Sequence, residues 1–187
     1  MKLQDYATIS AGTLTSRLKE DEAGTTYKLY DNQDFNRDSF EVSKGSGIPK
    51  YYTLANDSSK ELVKPGEVVI SLTAQKAAVV QDATETYYLL TFNFCKVKLN
   101  EKLDARYFVY WFNHSNEARR QIHRDVQTAT QIKKISINSL RNLEINFPPI
   151  EEQQRVGNVF ELFYKKRLLE SKKNKLQEQY LLAQLLN

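Results

Sequence analysis

The chain has 187 residues, 41% of them hydrophobic, which is room for one core-bearing domain with appendages. Its one cysteine, Cys95, excludes an internal disulfide, and no Cys or His stands near it at metal-ligand spacing, so a structural zinc is not expected. The formal net charge of +4 lies C-terminal of Asn100, with about +3 on residues 101–150 and about +2 on residues 151–187. Residues 1–10 lack the succession of a secretory signal, and no run of about 18 apolar residues occurs, so a cytoplasmic protein without a membrane span is expected.

The first local signal in chain order is Lys44-Gly45-Ser46-Gly47-Ile48-Pro49, a loop composition that lets backbone approach a ligand. Lys64-Pro65-Gly66 is a turn, and the β-branched run at 67–72 after it predicts a strand. Residues 77–80 predict a second strand, and the alternating stretch 87–99, which contains Cys95, a third. Between 104 and 125, Tyr107, Phe108, Trp111, Phe112 and Ile122 recur at helical spacing and predict one or two helices. Phe108, Trp111 and Phe112 could stack on bases, but at that spacing they read as core.

Basic residues concentrate between His114 and Lys134. Arg119, Arg120, Arg124, Lys133 and Lys134 could meet phosphate, or could be the solvated face of an ordinary surface helix. Residues 135–140 and 143–147 read as short extended segments ended by Pro148-Pro149. From Ile150 or Glu151 onward there is no proline and one glycine, Gly157, so a single helix of about 37 residues and roughly 55 Å is predicted. Leu162, Leu169, Leu176 and Ala183 repeat every seven residues on it, beside the half-polar row Val159, Lys166, Lys173, Tyr180. A helix ending Leu181-Leu182-Ala183-Gln184-Leu185-Leu186 needs an apolar partner, either a second copy or another subunit, unless it folds back on its own domain.

Motifs for catalysis are absent. His114 and His123 lie nine residues apart, which is not a metal-ligand spacing, and they read as surface or capping residues. No Walker lysine, nucleophile elbow or dinucleotide fingerprint occurs. Asn146-Phe147-Pro148-Pro149 has the wrong order for the adenine-gripping motif of amino-methyltransferases, and no cofactor fingerprint precedes it. Asp57, Glu61 and Glu67 show no nuclease-like spacing with a lysine. The chain is read as non-catalytic, without cofactor or metal.

Thr130-Gln131-Ile132-Lys133-Lys134-Ile135-Ser136-Ile137, then Leu140, Leu143 and Ile145, then Phe147-Pro148-Pro149-Ile150-Glu151-Glu152-Gln153-Gln154, resemble the signature of type I restriction-modification specificity subunits. In that family Pro-Pro-Leu/Ile-x-Glu-Gln opens a long helix, and Ile150 and Gln153 fit it. Lys2-Leu3-Gln4-Asp5 with Gly12 is similar to family openings, and Val63-Lys64-Pro65-Gly66-Glu67-Val68-Val69-Ile70-Ser71 to a family strand in which Asp is commoner than Glu67. The resemblance spans nearly the whole chain.

It implies a mixed α+β fold, in the broad sense α/β. Residues 1–149 would form a DNA target-recognition domain, with a twisted mixed sheet and flanking helices, and 150–187 a long helix forming a coiled coil with a partner. Specificity subunits of the family hold two recognition domains and two long helices, whereas this chain has one of each, so it is expected to be a half subunit that dimerises, or a fragment. The implied partners are double-stranded DNA, a second copy, a modification (methyltransferase) subunit and, through the complex, an endonuclease subunit. Two-fold symmetry would make the target a bipartite palindrome.

On hydrogen-bonding geometry, Lys50, Tyr51, Gln75, Lys76 and Gln127 are candidate base readers. Arg119, Arg120, Arg124, Lys133 and Lys134 suit phosphates, and Ser46, Thr73 and Thr130 could add neutral backbone contacts. Val159, Leu162, Leus at 169 and 176, Tyr180 and Ala183 are the candidate partner face. The alternative is a coiled-coil adaptor that binds only proteins, which salt-sensitive DNA binding would separate from the first reading.

Overall fold

A computed structural model of the chain describes residues 1–41, 48–55, 60–81, 84–126 and 134–185. In chain order it contains β1 (Ala7–Ala11), β2 (Glu20–Tyr30), α1 (Asn32–Asp38), β3 (Tyr51–Leu54), β4 (Leu62–Val63), β5 (Val68–Ser71), β6 (Lys76–Val79), β7 (Tyr88–Leu90), β8 (Phe94–Leu99), α2 (Ala105–His114), α3 (Asn116–Val126), α4 (Ile137–Arg141) and α5 (Ile150–Leu185). The class is mixed α+β, with two four-stranded sheets rather than a single one. The first, in the order β1-β8-β5-β6, is antiparallel throughout. The second, β3-β2-β7-β4, pairs β2 with β7 in parallel and is otherwise antiparallel.

The first sheet is covered on both faces. Side chains alternate across a strand, so Val68 and Ile70 of β5 enter a core with Phe108, Trp111 and Phe112 of α2. Val69 between them points the other way, into a second core with Tyr30, Phe35, Tyr88, Leu90 and Phe94. All four residues of β5 are therefore buried, which is why its sequence is a continuous apolar run rather than an alternating one. The edge strand β6 is completed by a side chain: Asn113 of α2 accepts from the Ala77 N–H and donates to its carbonyl, both at 2.8 Å.

Three sequence expectations change here. The stretch 87–99 is broken by a turn at 91–93 into β7 and β8, which belong to different sheets. Residues 135–140 contain helix α4, not a strand, because Ser136 is an N-cap whose Oγ accepts from the Ser139 N–H at 2.9 Å. Of the expected extended run 143–147, only Glu144 forms a bridge, to Lys2. The turn at Lys64-Pro65-Gly66 is present: Gly66 has φ +87, and Glu67 N–H donates to the Lys64 carbonyl at 3.1 Å. The loop expected at 44–49 lies outside the described residues up to position 47.

Helix α2 starts at Asp104, whose carboxylate accepts from the Arg106 and Tyr107 N–H groups at 2.9 Å each. Helix α5 begins directly after Pro148-Pro149 and runs for 36 residues, about 54 Å. Its first turns lie against α2, where Gly157 has no room for a side chain: an added Cβ would sit 2.8 Å from the Tyr107 nitrogen and the Arg106 Cβ. Gln153, 1% exposed, ties the same crossing. Its Oε1 accepts from Asp104 N–H at 2.9 Å, and its Nε2 donates to the Lys102 and Pro148 carbonyls at 3.0 and 2.8 Å. Beyond Leu168 every described residue of α5 is exposed. No helix among the described residues is long and apolar enough to cross a membrane.

Candidate nucleic-acid interface

Helix α3 carries three arginines, Arg119, Arg120 and Arg124, within six residues. Ala118 and Ile122 on its inner side are 0% and 6% exposed, and Gln121 fastens it to the segment before α5 by exchanging two hydrogen bonds with the Glu144 backbone at 2.7 and 2.8 Å. Glu117, itself exposed, accepts from the Trp111 indole N–H at 3.3 Å. The outer side is left to Arg119, Arg120, His123 and Arg124, which line one groove with Asn116. The three arginines lie at i, i+1 and i+5, within roughly one and a half turns of the helix.

Thr73, Gln75 and Lys134 gather at one end of the first sheet. Leu72 N–H donates to the Asn93 carbonyl at 2.9 Å, and Ile135 N–H to the Leu72 carbonyl at 3.0 Å, so the turns before β6 and β8 and the segment entering α4 meet. Gln75 has φ +56 and its N–H donates to the Ser71 carbonyl at 2.9 Å, which closes the turn and leaves Thr73 exposed. The Lys134 ammonium donates to the Phe92 carbonyl at 3.0 Å and lies 4.8 Å from the centre of the Phe92 ring.

Other expected contacts do not join these two clusters. Lys76 forms an ion pair with Glu41 and lines a separate cleft against α5, together with Arg119. Lys50 and Tyr51 stand at the start of β3, the edge strand of the second sheet, with Tyr51 54% exposed. Ser46, Gln127, Thr130 and Lys133 lie outside the described residues. Phe108, Trp111 and Phe112 are at most 3% exposed, core rather than stacking platforms.

Sequence reasoning passed over a second basic surface. Arg17, Lys19 and Lys60 line a cleft with Gly12, Thr13, Leu14 and the exposed ring of Phe92. Gly12 stands in its wall, pressed so close to the Thr91 carbonyl that a side chain there would collide with it. The three cations are scattered in sequence, and the signal that could have found them was Gly12 itself, a glycine demanding close backbone approach.

On α5, Val159, Leu162, Leu169, Leu176 and Tyr180 are 64–68% exposed, and Ala183 is also exposed. The face toward the domain is a different one, carrying Gln153, Val156, Gly157 and Phe160. The heptad row therefore stays open along the whole helix.

Cys95 is buried in β8, and burial pushes its thiol up to about 12. His114 lies among Tyr110, Phe160 and Tyr164, with its Nε2 3.2 Å from the Tyr164 hydroxyl. Burial, then the charges of Arg119 and Lys76, lower its pKa from 6.5 and favour the neutral imidazole. Among the described residues no group of three or more His, Cys, Asp or Glu could hold a metal ion.

Three solved structures share this architecture. A chain from a structure of type I restriction-modification complex assembly and conformational transition aligns at TM-score 0.64 and 16% identity, over 99% of this chain and 42% of that one. The HsdS subunit from Thermoanaerobacter tengcongensis aligns at 0.59 and 15%, over 93% and 39%. The type I S subunit from M. genitalium aligns at 0.57 and 15%, over 96% and 43%. At these identities the likeness is one of fold, and the chain spans about two fifths of the length of the chains it matches. No curated protein sequence matches it significantly. The model of the type I restriction modification DNA specificity domain matches residues 1–178, both sheets and nearly all of α5 included, and the chain belongs to that family.

Proposed function

We infer that the chain supplies sequence recognition to a type I restriction-modification complex in the cytoplasm. Residues 1–149 form the target-recognition domain and 150–187 the assembly helix. The family match over 1–178 carries this reading, joined to an α3 whose exposed side is arginine-rich while its apolar side is sealed in the core. Arg119, Arg120, Arg124 and Lys134 hold phosphates, Thr73 adds a neutral backbone contact, and Gln75 at the sheet end presents its amide to a base edge. Phosphate contacts set affinity and register, and base readers such as Gln75 set sequence preference.

The chain performs no chemistry in this reading. A modification subunit docked on a part of α5 other than the heptad row supplies methylation, and an endonuclease subunit joins through the complex. Two copies of this chain, joined through the exposed row Leu162, Leu169, Leu176 and Ala183, present two recognition domains. Identical domains related by a two-fold axis read a bipartite palindrome.

The test is light scattering on the purified chain, alone and mixed with the modification subunit, together with duplex binding at several salt concentrations. A dimer or a two-copy complex and a steep salt dependence are expected. A strict monomer that ignores the modification subunit would remove the assembly role, and salt-insensitive or absent duplex binding would leave a protein-only adaptor. The Arg124→Ala variant is expected to bind all duplexes more weakly alike and to lower the salt slope by about 1.

A further inference from the structure

Where α5 parts from the domain, a cleft of about 590 Å³ opens between residues 160–171 of α5, α2, β6 and the C-terminal end of α1. Its charged lining is Lys76, Arg106, Arg119 and Arg167 against Asp38, Glu41 and Glu161, with His114 and Tyr164 beside them. Every one of the acids is taken by a cation. Asp38 accepts from Arg37 at 2.9 Å and from the Tyr30 hydroxyl at 2.8 Å; Glu41 pairs with Lys76; Glu161 pairs with Lys165 at 2.8 Å and Arg106 at 3.4 Å.

Two guanidinium groups remain. Arg119 donates to the Asn113 carbonyl at 3.3 Å, and Arg167 lies over the rings of Phe163 and Tyr164 at 5.8 and 5.7 Å. Among the described residues no ion pair joins either to a carboxylate. A guanidinium stacked on an aromatic ring keeps its in-plane N–H donors for another acceptor. Two forks and the one donor left to the hydrogen-bonded pair of His114 and Tyr164 exceed what one carboxylate accepts and match the oxygens of a phosphate. The cleft volume is that of a nucleotide-sized site.

We propose that this cleft binds a phosphate group, with Arg119 and Arg167 supplying charge and forked donors and the hydrogen-bonded pair of His114 and Tyr164 one neutral donor. Arg119 also borders the α3 groove, so the phosphate comes either from a DNA strand lying on α3 or from a free nucleotide. Arg119 is shared with the duplex contacts inferred above, whereas Arg167, His114 and Tyr164 play no part in them, so the site is tested through Arg167.

The two histidines make the test. His114 reports on the cleft and His123 on the α3 groove. Their ring signals are followed by NMR while the chain is titrated with inorganic phosphate, adenosine monophosphate and a DNA duplex. Phosphate or the mononucleotide is expected to shift His114 and raise its pKa, because an anion offsets the field of Arg119 and Lys76. Arg167→Gln, an exposed position, is expected to weaken that response about tenfold and to leave the His123 response to duplex unchanged. Saturation by the mononucleotide identifies a free nucleotide; response to the duplex alone identifies a backbone phosphate. A His114 signal unmoved by all three ligands, or a response that survives Arg167→Gln, would overturn the site. A His123 signal unmoved by duplex would instead count against the α3 contacts and leave the cleft standing.

Discussion

Gln153 shows how much one side chain carries. Its amide satisfies a donor before α2 and two carbonyls on either side of the crossing with α5, all in a place closed to water. Gln153→Leu removes the amide and leaves those backbone groups unpaired, which is expected to cost about 3 kcal/mol by chemical denaturation. Cys95 behaves as a hydrophobic residue. Its thiol, held near a pKa of about 12, is expected to ignore a thiol reagent at pH 8 in the native chain and to react at once in guanidinium; native labelling would contradict the burial. His114 gives a pH signature. The unfolded chain, with the ordinary 6.5, takes up the proton before the folded chain does, so stability present above about pH 6.5 falls as pH drops through the lowered native value. The melting-temperature difference between pH 7.5 and pH 5.5 is expected to shrink in His114→Gln, and an unchanged difference would show that the imidazole titrates normally in the fold.

Among the elements, α5 changes role along its length. Through Leu168 it is a helix of the domain, with Phe160 and Tyr164 half-buried; beyond that it has no contact with its own domain that buries a residue. Gly157 marks the crossing. Alanine raises helix propensity by about 1 kcal/mol over glycine, but its Cβ would press on the Tyr107 backbone, which cannot swing aside. Gly157→Ala is therefore expected to lower the melting temperature by a few degrees, measured by circular dichroism; a rise would mean that α5 shifts freely on α2. The Pro-Pro-Ile-x-Glu-Gln run that resembles the family signature thus has a physical reading. The prolines start the helix, and the glutamine locks it to the domain.

For the whole molecule, the proposed function divides between two parts. The sheets and α1 to α4 hold the arginines of α3 and the sheet end in place, and the exposed row of α5 is the part proposed for assembly. A chain ending at Leu168 is expected to remain folded and to bind duplex as a monomer, because the residues it loses are exposed and contribute no core. Light scattering and a duplex titration check both parts, and loss of the domain fold would show that the distal helix contributes to it after all.

The sequence by itself determined the elements whose signals are local. The β-branched run of β5, the helical spacing of α2, the turn at Gly66 and the length and heptad row of α5 are each written in neighbouring residues. It also marked Arg119, Arg120, Arg124, Lys133 and Lys134 as a basic patch, of which the first three line one groove of the structure. Ser136 shows the limit of periodicity: Ile135-Ser136-Ile137 alternates like a strand until the serine hydroxyl caps a helix. Only the tertiary structure decided that 87–99 divides between two sheets, that Lys76 and Lys134 belong to different surfaces, and that Arg17, Lys19 and Lys60 share a cleft. Those facts depend on contacts between residues distant in the chain, and long-range strand pairing leaves no mark on the spacing of residues within either partner.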